Sequence, residues 1–129
     1  MKIALLGYGK MGKVIEKIAI SRGHEIILKI DKDSAPYDIT TVDVAIDFSM
    51  PNGAVKNISH ALHNGVPIIS GTTGWLSEME SMKSLCNTKK GAFIYASNFS
   101  LGVNIFFELN NYLAKMMKNV SDYAVALEE

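Results

Sequence analysis

The sequence predicts an α/β fold, a Rossmann-type doubly wound parallel sheet formed by a single domain of residues 1–129. Three observations predict it. Short apolar runs alternate with segments in which apolar residues recur at helical spacing, a glycine-rich loop joins the first run to the first such segment, and polar loops follow the later runs. Strands that alternate with helices pair in parallel, because each helix returns the chain to the same edge of the sheet.

The predicted elements alternate along the whole chain. Strands are short runs of aliphatic and aromatic residues, and helices have apolar residues three and four positions apart. In chain order they are a strand at 2–6, a helix at about 10–22, strands at 25–30 and 42–46, a helix at 51–64, a strand at 66–70, a helix at about 77–88, a strand at 92–96, a helix at 101–117 and a strand at 122–127.

Glycine, proline and serine residues set several of these boundaries. Gly23 ends the first helix. Pro51 begins the second, because a proline at the first helical position loses no hydrogen bond. Ser77 is predicted to cap the third helix, with Glu80 three residues on as its capping-box partner. A Rossmann unit usually has a helix between its second and third strands, but residues 31–41 contain no convincing helical pattern.

The composition is that of a soluble intracellular domain. Hydrophobic residues make up 48% of the chain, enough for an ordinary core, and the formal net charge is zero, so no basic excess indicates a nucleic-acid partner. No apolar run approaches the roughly 18 residues of a membrane span. The lone Cys86 excludes an internal disulfide and fits a reducing compartment. We therefore expect a cytoplasmic protein with neither a nucleic-acid nor a membrane partner.

The loop GYGKMG lies between the first strand and the first helix. In a dinucleotide-binding loop, Gly7 permits the tight turn, Gly9 lets the backbone approach a pyrophosphate, and Gly12 lets the helix lie close to the strand. The helix N-terminus, where Lys10 and Met11 lie, attracts phosphate through its free amides. A tight turn without a ligand is the alternative, but the position between strand and helix favours a NAD or NADP site.

An acidic residue follows the second predicted strand. Asp31 lies nineteen residues after Gly12, where a carboxylate would bind the hydroxyls of the adenosine ribose. A lone acid there favours NAD, because it would repel a 2′-phosphate. The neighbouring Lys32 could attract that phosphate, or it could be a solvated loop charge. The sequence therefore leaves NAD and NADP both open.

Three further loops follow the third, fourth and fifth predicted strands. They read DFSMP, SGTTGW and ASNFSLGVN. Each alone is typical of an ordinary turn. Because ligands bind outside the carboxyl ends of parallel strands, the three together predict one site that lines a nicotinamide and holds an anionic substrate through hydroxyls and amides.

Together these loops resemble one family, the 4-hydroxy-tetrahydrodipicolinate reductases (dihydrodipicolinate reductases), over essentially the whole chain. The resemblance is to the N-terminal domain of that family, in matching order and spacing. The matching segments are Gly9–Gly12 of the glycine motif, Asp31, Asp47–Pro51 of D-F-[ST]-x-P, Gly71–Gly74 of G-T-T-G and Ala96–Asn104 of [AS]-x-N-[FM]-S-x-G-V-N.

The resemblance implies a reductase that transfers hydride from NADH or NADPH to a cyclic dicarboxylate in the diaminopimelate route to lysine. It places Thr73 at the substrate carboxylate as well as at the cofactor. With the glycine loop and the Asp31-Lys32 pair, the implied cofactor contacts are Gly7, Gly9, Lys10, Met11, Gly12, Asp31, Lys32, Phe48, Ser49, Gly71, Thr73, Ser97, Asn98 and Phe99.

The family's catalytic histidine and lysine belong to a segment that begins after Glu129, so no catalytic residue is expected in this chain. The family's C-terminal domain, which builds a homotetramer in the parent protein, is also absent. We therefore expect residues 1–129 to bind cofactor without turnover, and the apolar last helix to favour self-association. His60 and His63 share a predicted helix face, but no third ligand accompanies them, so no metal site is expected.

Two other functions are considered. One is a stand-alone module that senses or sequesters a dinucleotide. The other is the N-terminal half of a different amino-acid-pathway dehydrogenase, such as one that acts on aspartate or homoserine. The combination of G-T-T-G with N-F-S-x-G-V-N favours the reductase.

Overall fold

A computed structural model of the protein describes residues 1–31, 34–124 and 126. The chain divides into two units, Met1–Ser97 and Asn98–Glu129, of which the first contains a sheet and the second a long helix. Within the described ranges, no helix combines the length and the apolar character needed to cross a bilayer.

The first unit contains five strands and three helices in its described residues. Two short 3-10 turns, Ile39–Thr41 and Leu76–Glu78, interrupt its loops. In chain order the elements are β1 Lys2–Leu6, α1 Lys10–Ser21, β2 Glu25–Ile30, β3 Val44–Asp47, α2 Pro51–His63, β4 Ile68–Ser70, α3 Met79–Lys89 and β5 Phe93–Tyr95.

Neighbouring strands all pair in parallel, in the order β2-β1-β3-β4-β5. The chain thus moves outward from β1 to β2 on one side and from β3 to β5 on the other. The topological switch point lies between β1 and β3, where Leu6 pairs with Asp47. This arrangement confirms the predicted doubly wound parallel sheet, and ligands bind such sheets outside the carboxyl ends of the strands at the switch point.

Helices cover both faces of the sheet in the first unit. On one face, Ala19 of α1 packs with Ile3 and Leu5 of β1. Since β1 is covered on both faces, its sequence is continuously apolar from Ile3 to Leu6 instead of alternating. The larger core, on the opposite face, contains buried residues of β1, β3, β4, α2 and α3, chiefly Ala4, Leu6, Ala45, Ile58, Leu62, Ile68 and Met82.

The buried face of α1 is narrow. Met11, Val14 and Ile18 are about half-exposed. The helix contacts β1 and the edge strand β2, and its buried residues are the small Gly12 and Ala19.

The segment between β2 and β3 contains a 3-10 turn that was not predicted. Asp38 caps it, because its Oδ1 accepts hydrogen bonds from the Thr40 N–H (2.9 Å) and the Thr40 hydroxyl (2.6 Å). Ile39 is buried in the larger core, so it anchors the segment without a helix. Val42 follows this turn and precedes the first paired residue, Val44, so the predicted start of β3 was two residues early.

The predicted capping box of the third helix is wrong. Ser77 lies inside a 3-10 turn, and α3 begins only at Met79, with no side-chain cap from the described residues. Trp75 is buried, and its carbonyl accepts a hydrogen bond from the Glu78 N–H (3.0 Å). Because the turn occupies Leu76–Glu78, the N-cap of α3 is Glu78, and Ser77 lies one residue before it.

The second unit contains α4, Leu101–Met117, as predicted. Ser100 is its N-cap, and its hydroxyl accepts a hydrogen bond from the Val103 N–H (3.4 Å). The predicted sixth strand falls partly on Val125 and Leu127, which lie outside the described residues; the described residues 122–124 and 126 form no strand.

Candidate functional site

The loops that follow β1, β3 and β4 meet at the carboxyl edge of the sheet in the first unit. Backbone hydrogen bonds join them beyond the strand ends: the Phe48 N–H donates to the Leu6 carbonyl, and the Gly71 N–H donates to the Asp47 carbonyl, each at 2.9 Å. The Gly7 N–H donates to the Ile30 carbonyl at 2.8 Å. The loops after β1, β3 and β4 are therefore joined to one another, and to the end of β2, where they leave the sheet.

Two glycines of the first loop are required by the protein's own packing. Gly7 has a φ of +95°, and a Cβ added to it would lie 2.2 Å from the Phe48 carbonyl oxygen. A Cβ on Gly12 would lie 2.5 Å from the Gly7 carbonyl oxygen. Gly7 therefore permits the turn, and Gly12 lets α1 lie close to β1, which are the roles predicted from the sequence.

Gly9 differs from the other two glycines. Its φ is −83°, and among the described residues no atom outside its own turn lies within 4 Å of the position that a Cβ would take. It is the N-cap of α1, which no described side chain caps and whose first turn contains no acidic residue. Lys10 and Met11 follow it and are exposed. Open space before a helix N-terminus fits a pyrophosphate, which the amides and the helix dipole would stabilise.

A buried carboxylate joins the loops after β3 and β4. The Asp47 side chain is 0% exposed and accepts four hydrogen bonds. Ser49 Oγ (2.7 Å) and Asn57 Nδ2 (2.8 Å) donate to its Oδ1. Ser70 Oγ and Thr72 Oγ1 donate to its Oδ2, each at 2.8 Å. We refer to Asp47, Ser49, Asn57, Ser70 and Thr72 as the Asp47 cluster.

Asp47, Ser70 and Thr72 lie in the loops that the sequence assigned to the site, but none of them, nor Asn57, was among the predicted cofactor contacts. One signal was present: Asp47 is in phase with the buried Ala45 on β3, so alternation assigns it to the core side of the strand. A carboxylate at such a position must be hydrogen-bonded, because an unpaired buried charge is very costly. The identity of its partners was not readable, since they come from two loops and a helix.

The two threonines of the G-T-T-G loop differ in their exposure to solvent. Thr72 is 5% exposed, and its Oγ1 accepts a hydrogen bond from the Ser49 N–H (2.8 Å) while it donates to Asp47. Thr73 is exposed to solvent. A buried hydrogen bond also holds the backbone of this loop, because the Trp75 Nε1 donates to the Thr72 carbonyl (2.7 Å). Thr73, which the resemblance assigned to a ligand, is therefore the threonine that a ligand can reach.

Phe48 connects the glycine loop to the G-T-T-G loop. Its carbonyl lies against Gly7, and a Cβ on Gly71 would lie 2.3 Å from its ring. Only glycine fits at both positions without displacing Phe48. Ser49, the next residue, belongs to the Asp47 cluster, and its hydroxyl donates to Asp47.

Asp31 directly follows β2 at the same edge of the sheet and is exposed. A turn fixes its backbone: the Asp31 N–H donates to the Ser34 hydroxyl (2.8 Å), and the Ser34 N–H donates to the Asp31 carbonyl (3.0 Å). In the strand order, β2 lies on one side of β1, and β3 and β4 lie on the other. Lys32 lies outside the described residues.

Tyr8, inside the glycine loop, is tied to α1 and β2. Its hydroxyl donates to Glu16, and Glu16 forms an ion pair with Lys29, whose Nζ lies 5.3 Å from the Tyr8 ring centroid. The hydrogen bonds from Lys29 and Tyr8 lower the pKa of Glu16 below its ordinary 4.5. The hydrogen bond to Glu16 raises the pKa values of Tyr8 and Lys29. This network fastens the loop to the β2 side of the sheet.

The last predicted segment, Ala96–Asn104, directly follows β5, and its Ser97 is exposed. Asn98 and Phe99 belong to the second unit, where a local network holds the start of α4. The Ser100 N–H donates to Asn98 Oδ1 (2.8 Å), and Asn104 Nδ2 donates to the Asn98 carbonyl (3.0 Å). The two asparagines of the segment therefore stabilise their own turn.

No histidine of the chain lies at the carboxyl edge of the sheet. His24 precedes β2, and His60 and His63 lie in the last turn of α2, which runs antiparallel to the strands. All three are therefore at the opposite edge. Across the described part of the chain, no group of three or more His, Cys, Asp or Glu side chains is placed to hold a metal ion.

Comparison with known proteins identifies relatives of this chain. The family described as "Dihydrodipicolinate reductase, N-terminus" matches residues 34–99. A 4-hydroxy-tetrahydrodipicolinate reductase from Christiangramia forsetii is 52% identical over 100% of this chain and 55% of its own length. The enzyme of that name from Archaeoglobus fulgidus is 34% identical over 91% of this chain and 53% of its own length. The chain spans about half the length of these curated relatives.

A solved structure shares the fold. It is a crystal structure of a protein described provisionally as a homoserine dehydrogenase from Archaeoglobus fulgidus, and it aligns with a TM-score of 0.61 over 74% of this chain and 42% of that chain. The sequence identity is 18%, so the likeness shows the fold alone.

We predict that Gly7→Ala destabilises the protein by about 3 kcal/mol. The added methyl would overlap the Phe48 backbone, which costs roughly 1–3 kcal/mol, and a positive φ costs an L-residue roughly 1–2 kcal/mol more. Urea unfolding followed by the fluorescence of the single Trp75 measures the change. Gly9→Ala is the matched control and should stay within about 1 kcal/mol of wild type, because its methyl would meet no atom of the described residues beyond its own turn. Equal stabilities of the two variants would contradict the close approach of Phe48 to Gly7.

We predict that Glu16→Gln makes the free energy of unfolding fall less steeply than in wild type as the pH is lowered. Because the folded pKa of Glu16 lies below 4.5, the unfolded chain takes up the proton first as the pH falls. The stabilisation is complete above pH 4.5 and is lost as the pH falls through the folded pKa. Urea unfolding at a series of pH values from about 3 to 7 tests this.

Glu80→Gln is the control for this experiment. Glu80 also forms an ion pair, with Lys83 at 2.7 Å, but its side chain is 85% exposed, against 17% for Glu16. Exposed pairs contribute little to stability, so this variant should keep the wild-type acid profile. An unchanged acid profile in Glu16→Gln would show that the Tyr8–Glu16–Lys29 network does not stabilise the fold.

Proposed function

The chain belongs to the dihydrodipicolinate reductase family, and from that premise we propose that residues 1–129 form its NAD(P)H-binding domain. The observation that carries the proposal is the glycine loop. Packing explains why positions 7 and 12 are glycine, but no described residue explains Gly9, which opens onto an uncapped helix N-terminus at the switch point. A pyrophosphate at that place accounts for the third glycine.

The strand order gives the proposed orientation of the dinucleotide. Asp31 follows β2 and would bind the adenosine ribose, so the adenosine half lies on that side of the glycine loop. With the pyrophosphate at Gly9, the nicotinamide half extends over the loops after β3 and β4. We propose contacts there with Phe48, Ser49, Gly71 and Thr73. The other proposed cofactor contacts are Gly7, Lys10, Met11, Gly12, Lys32, Ser97, Asn98 and Phe99.

We propose that the full-length parent is the reductase whose name the relatives carry, in diaminopimelate and lysine biosynthesis. The bound NADH or NADPH supplies a hydride to the cyclic dicarboxylate. The residues of this chain bind and orient the cofactor, and the exposed Thr73 is proposed to contact a substrate carboxylate through its hydroxyl. An exposed hydroxyl beside a network of buried hydrogen bonds is suited to hold an anionic group in a fixed position.

We further propose that residues 1–129 alone bind the cofactor without turnover. Reduction of the substrate needs a proton as well as a hydride. A histidine is the side chain that most often donates protons near neutral pH, and all three histidines lie at the opposite edge of the sheet.

We predict that Gly9→Val weakens cofactor binding at least tenfold, because its branched side chain fills the space proposed for the pyrophosphate. Isothermal titration calorimetry with NADH and with NADPH measures the affinity and also compares the two cofactors. Gly23→Asn is the matched control, since Gly23 lies in open space at the far end of α1 and asparagine tolerates its φ of +75°. Absence of NADH and NADPH binding to the wild-type chain would refute the proposed function.

A coupled assay with the preceding synthase tests turnover. The 129-residue chain should show no reduction above background while it binds the cofactor. Turnover comparable to that of a full-length relative would refute the claim that the proton donor lies outside these residues.

We also propose that α4 mediates self-association of the chain. Ile105, Phe106 and Phe107 are consecutive, so they point in directions about 100° apart, and the described residues of the second unit contain no second helix or strand to cover them. Light scattering should show an apparent mass that rises above 14.1 kDa with concentration. Phe106→Glu should reduce the association, and Lys115→Glu, about 180° away on the same helix, should not. A mass of one chain at every concentration contradicts the proposal.

A further inference from the structure

The four donors of the Asp47 cluster come from separate parts of the first unit. Ser49 belongs to the loop after β3, Asn57 to α2, Ser70 to the end of β4 and Thr72 to the G-T-T-G loop. The pairing of β3 with β4 places Asp47 beside Ser70, and the shared carboxylate then holds the loop residues Ser49 and Thr72 against that pair. Asp47 therefore fixes the distance between the loops after β3 and β4 as well as filling a core position.

The hydrogen bonds of this cluster are directed inward. The Thr72 hydroxyl donates to Asp47 and accepts from the Ser49 N–H, and Ser49 Oγ also accepts from Asn57 Nδ2 (3.2 Å). The buried Thr72 hydroxyl, engaged both as donor and as acceptor, is not offered to a ligand. The effect of the cluster on a ligand is exerted through the groups it holds in place, which are the backbone of Phe48, the ring of Phe48 against Gly71, and the exposed Thr73.

The cluster lies on one side of the glycine loop only. Its members are in β3, α2, β4 and the adjoining loops, whereas Asp31 follows β2 on the other side of β1. The adenosine side has its own support in the network of Tyr8, Glu16 and Lys29. The two halves of the proposed dinucleotide site are thus held by two separate polar networks.

We infer that Asp47 is a positioning residue for the nicotinamide half of the cofactor. Its carboxylate holds the loops after β3 and β4 in the arrangement that the nicotinamide half contacts, so binding does not have to order them. The inference rests on the proposed function. It differs from a general role in folding because it predicts an effect on one half of the ligand.

The experiment compares two ligands that share the adenosine half. NADH contains the nicotinamide, and ADP-ribose lacks it. Asp47→Asn keeps the size of the side chain and one acceptor oxygen but removes the charge, and Thr72→Val removes one donor at nearly constant volume. Each variant of the 129-residue chain is titrated with both ligands by calorimetry, and the emission of the single Trp75, whose indole N–H donates to the Thr72 carbonyl, reports the state of the loop.

We expect Asp47→Asn and Thr72→Val to bind NADH roughly tenfold more weakly than wild type and to bind ADP-ribose within about twofold of wild type. The Trp75 emission should shift in both variants. Ser59→Ala is the control, because this hydroxyl lies on α2 beside His63, away from the cluster, and it should leave both affinities unchanged.

Three outcomes would overturn the inference, and they can be distinguished. If wild type binds NADH and both variants bind it equally well, Asp47 has no positioning role. If the variants lose NADH and ADP-ribose to the same extent, Asp47 supports only the fold. If wild type binds neither ligand, the proposed function fails first, and the inference fails with it.

Discussion

The hydrogen bonding of one buried carboxylate is the interaction on which the edge of this sheet depends. Asp47 ends β3 at the switch point with no exposed surface, so its charge is compatible with the fold only if neighbouring donors satisfy it. Four side chains do so, and each brings its own segment to the same place. The geometry of two site loops therefore follows from the desolvation of a single group.

Close contacts of Phe48 with two glycines also hold the site loops in place. Phe48 lies between Gly7 and Gly71, and neither glycine leaves space for a methyl group beside it. The first loop is thereby held at a fixed distance from the loop after β4. Gly9 belongs to the same first loop, but no described atom beyond its own turn lies within 4 Å of the place that a Cβ on it would take, which leaves the start of α1 open. Rigid loops around an open helix N-terminus are the arrangement that binds a pyrophosphate with little loss of entropy.

The local sequence pattern predicted most of the strands and helices, but it misplaced the cap of α3 and the start of β3. The apolar runs predicted five of the strands within a few residues, and the first and last described helices were close to their predicted bounds. The capping box at Ser77 failed because burial of Trp75 forms a turn there that a short motif does not reveal. The start of β3 was misplaced because Ile39 enters the core and extends the preceding connection.

The sequence by itself determined the class of fold, the order of its elements and the glycine loop, because periodicity and positive-φ glycines are properties of neighbouring residues. It also contained the motifs through which the family is recognised. Only the tertiary structure decided which hydroxyls face inward and which face solvent, and so gave the physical reason why Thr73, and not Thr72, is open to a ligand. That choice depends on Asp47, 25 residues from Thr72 in the chain. A contact at that separation is set by the pairing of β3 with β4 and cannot be read from either segment alone.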